Sequence, residues 1–158
     1  MPIKHSIGAN KITESMLLPH LVQKLKGSRA NNTVTTNEGT NIETIRLGAD
    51  IAYGTYIAVG DDGKGYIASS DASDNKPAYA MCIQSGTTND IVKIKRFGDV
   101  EISGASFIVN KTVWLLSGTP NFSTDLPDCT SGSVIQRLGK TLSATKIFID
   151  IETERIVE

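Results

Sequence analysis

The chain has 158 residues with 16 Lys and Arg against 17 Asp and Glu, a formal net charge of −1. That length suits one domain, or one domain with an extension, and lets about two-thirds of the unfolded surface be buried. Near-neutral charge argues against a dedicated nucleic-acid or membrane binder, and hydrophobic residues at 39% with aromatics at 6% describe a lean globular composition.

The first 41 residues read differently from the rest. Over residues 1–30, Lys4, Lys11, Lys24, Lys26 and Arg29 face Glu14 alone, whereas residues 31–158 carry 11 basic and 16 acidic residues. A basic arm on an acidic body is suited to docking on an acidic neighbour. Within the arm, Met16, Leu17, Leu18, Leu21, Val22 and Leu25 cluster with partial helical spacing. Pro19 fits a first helical turn and Gly27 a stop, so a short helix is expected from Pro19 to Lys26. A helix that short is marginal alone. The side chains assigned to partner contact are therefore Leu17, Leu18, Leu21, Val22 and Leu25, with Lys24 and Lys26 beside them. Arg29 to Thr40 is polar and reads as a linker or extended arm.

From Asn41 onward the pattern is β. Ile42–Leu47 alternates loosely, and Thr55–Val59, the turn Gly60–Lys64 and Gly65–Ala68 make a hairpin. A polar loop, Ser69–Lys76, leads to a buried strand over Ala78–Gln84. Ile91–Lys95 and Val100–Ile102 alternate, divided by Gly98-Asp99, and strands are expected over Ser106–Val109 and Thr112–Ser117. The polar stretch Ser123–Gly132 reads as a loop, followed by strands over Ser133–Arg137 and Lys146–Ile151 and a tail over 152–158. Strands recurring about every 8–12 residues predict an all-β fold, an antiparallel sandwich or partly open barrel carrying an extended N-terminal arm.

Candidate chemistry is sparse. His5 and His20 lie in the arm without a partner at ligand spacing, and G-x-S-x-G, H-E-x-x-H, CxxC and P-loop motifs are absent from the sequence. No catalytic, cofactor or metal residue is therefore assigned. Asp61-Asp62-Gly63 and Asp71-x-x-Asp74-Asn75 offer oxygen ligands, but ordinary turns use the same residues and the spacing is not that of an EF-hand. Lys93, Lys95 and Arg96 read as an exposed sheet face or a defended edge. Trp114, between Val113 and Leu115, reads as core. Cys82 reads as a small buried hydrophobe, Cys129 as a loop residue, and one disulfide between them is open. The N-terminus shows no signal-like apolar region, so assembly in the cytoplasm is expected and the sequons at Asn31, Asn110 and Asn121 are read as chance.

Two stretches carry a resemblance. Leu47-Gly-Ala-Asp-Ile-Ala-Tyr-Gly-Thr-Tyr-Ile-Ala-Val59 is similar to a "g.dl..G..v.v" pattern. Thr112-Val-Trp-Leu-Leu-Ser-Gly-Thr-Pro120, followed by Val134-Ile-Gln-Arg-Leu-Gly-Lys-Thr-Leu-Ser-Ala-Thr-Lys-Ile-Phe-Ile149, is similar to a strand pair written "yyls.tpG" and "vvq.iG.alsatkl.i.i". Across Ile45 to Ile151 the chain resembles a β domain of tailed-phage virion structural proteins. The resemblance implies a non-enzymatic virion module, often trimeric, that contacts other capsid or tail proteins. One domain with an anchoring arm points to a head decoration or head-fibre subunit. The alternative is a tail or baseplate tip that binds a receptor or glycan.

Overall fold

The structure, a computed structural model, describes residues 35–37, 41–74 and 76–158. The expected Pro19–Lys26 helix lies outside the described residues. Contacts divide the chain into Met1–Thr35 and Thr36–Glu158, and the second unit is strand-rich.

The first sheet has six strands: β1 (Thr35–Asn37), β2 (Ile42–Arg46), β3 (Tyr56–Val59), β4 (Gly65–Ile67), β5 (Ala80–Cys82) and β6 (Ile91–Lys95). They lie in the order β1-β2-β6-β5-β3-β4. Pairing runs antiparallel from β2 through β6, β5 and β3 to β4. The sheet then curls until its two sides meet, because Leu47 bridges Gly65 and the Gly48 N–H donates to the Gly65 carbonyl at 2.9 Å. Strand alternation sends Ile45, Ile57, Ala80, Cys82, Val92 and Ile94 to the inside of this curl with Leu47 and Ile51. Each such Ile, Leu or Val contributes about 1.5–3 kcal/mol by leaving water. Gly65 sits inside as well, since a Cβ there would lie 3.2 Å from the Ile57 methyl.

The second sheet has five strands: β7 (Phe97–Glu101), β8 (Thr112–Leu115), β9 (Phe122–Ser123), β11 (Arg137–Thr141) and β12 (Lys146–Asp150), after β10 (Val134–Ile135). Its order is β7-β12-β11-β8-β9, and all its pairings are antiparallel. β10 pairs separately with β13 (Arg155–Ile156). The larger core forms where this sheet covers the first. Tyr56, Ala58 and Met81 from the first sheet meet Val113, Leu115, Leu138, Ile147 and Ile149 from the second. The result is sandwich-like and all-β, as the strand spacing predicts.

Two buried amides join the layers. Asn121 accepts the Tyr56 N–H at 3.0 Å and donates to the Tyr56 and Ala68 carbonyls at 2.7 and 3.0 Å. Gln136 accepts the Ala78 N–H at 2.6 Å and donates to the Ala78 and Glu152 carbonyls at 3.0 Å each. Each amide thus pairs with one backbone unit as a neighbouring strand would.

Several expected boundaries differ. Thr35–Asn37, inside the segment read as linker, forms edge strand β1, and the expected C-terminal tail supplies β13. Ser106–Val109 is loop rather than strand, with Ile108 67% exposed and its carbonyl held by the Thr141 hydroxyl. Gly98-Asp99 does not divide strands but lies within β7, and Leu138-Gly-Lys-Thr141, outside the expected strands, belongs to β11. Gly139 marks a register shift between Arg137 and Gly139 at φ 143°, where an added Cβ would meet the Phe148 carbonyl oxygen at 2.0 Å. Glycine therefore serves there as a bulge residue that lets two backbones approach.

Candidate functional site

The arm residues assigned to partner contact, Leu17, Leu18, Leu21, Val22, Leu25, Lys24 and Lys26, lie outside the described residues.

The acidic turns are occupied by their own backbone. Asp62 accepts the Lys64 N–H at 3.1 Å and the Tyr66 hydroxyl at 2.9 Å, and these donors hold its carboxyl below the usual range. Asp71 accepts the N–H and hydroxyl of Ser73, both at 3.0 Å, with the same effect. Asp74 pairs with Lys76 at 2.8 Å. These are Asx-turn and ion-pair contacts that shape loops.

β6 lies between β2 and β5, so Lys93 and Lys95 occupy an exposed sheet face and not an edge. Lys95 donates to the Asp99 carbonyl at 2.6 Å. Arg96 lies over the Tyr79 ring, 4.3 Å from its centroid. Trp114 corrects its expected core placement. Val113 and Leu115 are buried on one side of β8, and alternation turns Trp114 to the other, where it is half-buried. Cys82 is buried, its thiol pushed up by burial, and Cys129 is exposed; both are free.

A polar cleft of about 450 Å³ lies between the sheets, lined by Glu43, Tyr79, Arg96, Gln136 and Glu152. The Tyr79 hydroxyl donates to Glu43 at 3.2 Å, and Arg96 comes within 4.0 Å of the same carboxylate. Burial first, and then Glu43, raises the Tyr79 phenol. Glu152 of the lining pairs with Arg137. Sequence offers no signal for this group: Glu43 and Tyr79 are 36 residues apart and meet only through sheet order. Its members satisfy one another, so the cluster fixes strand positions and offers no free base beside a nucleophile.

Large apolar side chains remain outside both cores. Ile108, Val109 and Leu126 are 67%, 57% and 63% exposed. The Thr141 hydroxyl holds the loop that carries Ile108 and Val109 through the Ile108 and Lys111 carbonyls.

No protein-family model matches this chain, and no curated protein matches it in sequence.

Proposed function

We propose that this is a non-enzymatic structural protein that works by contact, a tailed-phage virion component of the head decoration or head-fibre kind. What supports the reading is how the polar groups are used. Asp62 and Asp71 build turns, Asn121 and Gln136 join the sheets, and Glu43 is held between Tyr79 and Arg96. Exposed apolar residues such as Ile108 and Val109 supply surface for other proteins. The resemblance over Ile45 to Ile151 supplies the virion setting.

In this reading the described unit is a sandwich in which a curled, partly open barrel is covered by the second sheet. The basic arm, with the helix expected from its sequence over Pro19–Lys26, anchors the subunit to a capsid or tail protein, or to another copy. Partners acidic around an apolar groove suit Leu17, Leu18, Leu21, Val22 and Leu25 with Lys24 and Lys26.

The test is peptide mass spectrometry of purified particles from cells producing the chain with its phage. Stoichiometric copies in the particle fraction are expected; a chain found only in the soluble lysate contradicts the proposal.

A further inference from the structure

The outer face of the second sheet has an internal complementarity that one fold of symmetry would satisfy. Val113, Leu138, Ile147, Ile149 and Val100 are buried on the inner face, so alternation turns their neighbours outward. Strand register arranges those neighbours in rows. One row runs Asp99, Phe148, Lys140, Thr112 across β7, β12, β11 and β8. The next runs Phe97 and Asp150, followed past the Gly139 bulge by Arg137 and Trp114. Phe97 is 49% exposed and packs edge-on against Phe148 at 5.0 Å.

We infer that this face stacks on the same face of a second copy, about a two-fold axis parallel to the strands and between β11 and β12. Such a rotation lays β12 of one copy over β11 of the other, and β7 over β8. Phe97 then meets Trp114, Asp150 joins the ion pair that Arg137 makes with Glu152 of its own chain, the Phe148 ring meets the Lys140 ammonium, and Asp99 meets the Thr112 hydroxyl. Aromatic lies on aromatic, acid on base and ring on cation in one register. Stacked sheets about 10 Å apart and aligned within about 30° place these side chains in reach. An isologous contact repeats each pairing twice. Moving the axis one half-strand, onto β12, sets Asp150 on Asp150 and Lys146 on Lys146, so charge selects the first arrangement.

Trp114 is the only tryptophan and reports on the contact directly. Sedimentation equilibrium of the full chain should give a mass of two chains, and dilution should red-shift Trp114 emission as the pair separates. Phe97→Glu should sediment as one chain with emission already red-shifted, whereas Phe97→Leu should still pair. Lys140→Glu should weaken pairing about tenfold, while Lys93→Glu on the first sheet should leave it unchanged. A wild type of one or three chains would overturn the inference. So would a Phe97→Glu variant that still pairs, a Lys93→Glu variant that does not, or emission indifferent to dilution.

Discussion

Asn121 and Tyr56 exchange hydrogen bonds across the two sheets, the side-chain oxygen accepting the Tyr56 N–H at 3.0 Å and the side-chain nitrogen donating to the Tyr56 carbonyl at 2.7 Å. The same amide also holds the Ala68 carbonyl, and Asn121 is fully buried. A side chain 65 residues away in sequence therefore completes the backbone pairing of β3.

Asn121→Leu keeps the branched shape but leaves the Tyr56 N–H and the Ala68 carbonyl without the amide that pairs them, while the Tyr56 carbonyl keeps the Ala68 N–H at 3.0 Å. The cost should be about 3 kcal/mol or more, read as a lowered denaturant midpoint with unchanged m-value. Tyr56→Phe should behave oppositely. The Tyr56 hydroxyl is the buried side-chain atom among the described residues with no hydrogen-bond partner. Removing it should leave stability unchanged or raise it by about 1 kcal/mol. A strongly destabilised Tyr56→Phe would mean that the hydroxyl has a partner in solution.

Gly139→Ala should be among the most damaging small substitutions in the chain. The added Cβ meets a backbone carbonyl oxygen of β12, which cannot swing aside as a side-chain tip can. We expect a loss of about 3 kcal/mol or more in thermal or chemical unfolding. Gly104→Ala is the comparison at another positive φ, 79°, with no atom within 4 Å of the new Cβ, and should cost clearly less.

The two thiols should differ in reactivity. Cys82 lies inside the curled sheet, where burial raises its thiol, and donates to the Gln84 carbonyl at 3.0 Å. Cys129 is exposed. A thiol-specific reagent should label one cysteine in the native protein and both in denaturant, with Cys129→Ser abolishing the native signal. Equal rates in the folded protein would contradict the placement of Cys82.

Acid should destabilise the fold below the carboxylate range. Asp62, Asp71 and Asp90 are each held below the ordinary value, first by a backbone N–H, from Lys64, Ser73 and Thr87 respectively. A folded value below the unfolded one means the contribution is complete above the unfolded value of about 3.9 and disappears as pH falls through the folded value. Melting temperature should thus stay level through these groups' ionised range and decline below about pH 4. Asp90→Asn should flatten part of that decline; an unchanged slope would remove Asp90 from the explanation.

Local signals in the sequence carried the β class well. Val92 and Ile94 alternate with Lys93 and Lys95, which is what one buried and one wet face require. The Gly60–Lys64 turn likewise announces itself through Asp and Gly chemistry. What did not show was anything set by distant register. Glu43 reaches Tyr79, and Gln136 reaches Ala78, only after strands far apart in sequence become neighbours. Gly98 read as a breaker because glycine ends strands more often than it lies within them. Trp114 read as core from its apolar neighbours, although period-two alternation places it opposite them. The partner-contact residues Leu17 to Lys26 rest on sequence alone.

The most direct test of a contact function anchored by the arm is incorporation of Leu21→Asp into particles, with circular dichroism of the free variant alongside. Burying two or three of the arm's Leu and Val side chains is worth about 1.5–3 kcal/mol each before ordering costs, and one buried aspartate opposes that gain. We expect a β-type spectrum and cooperative melting like wild type, with the variant missing from purified particles. Incorporation equal to wild type would contradict the arm as anchor and move the contact to the strand-rich unit.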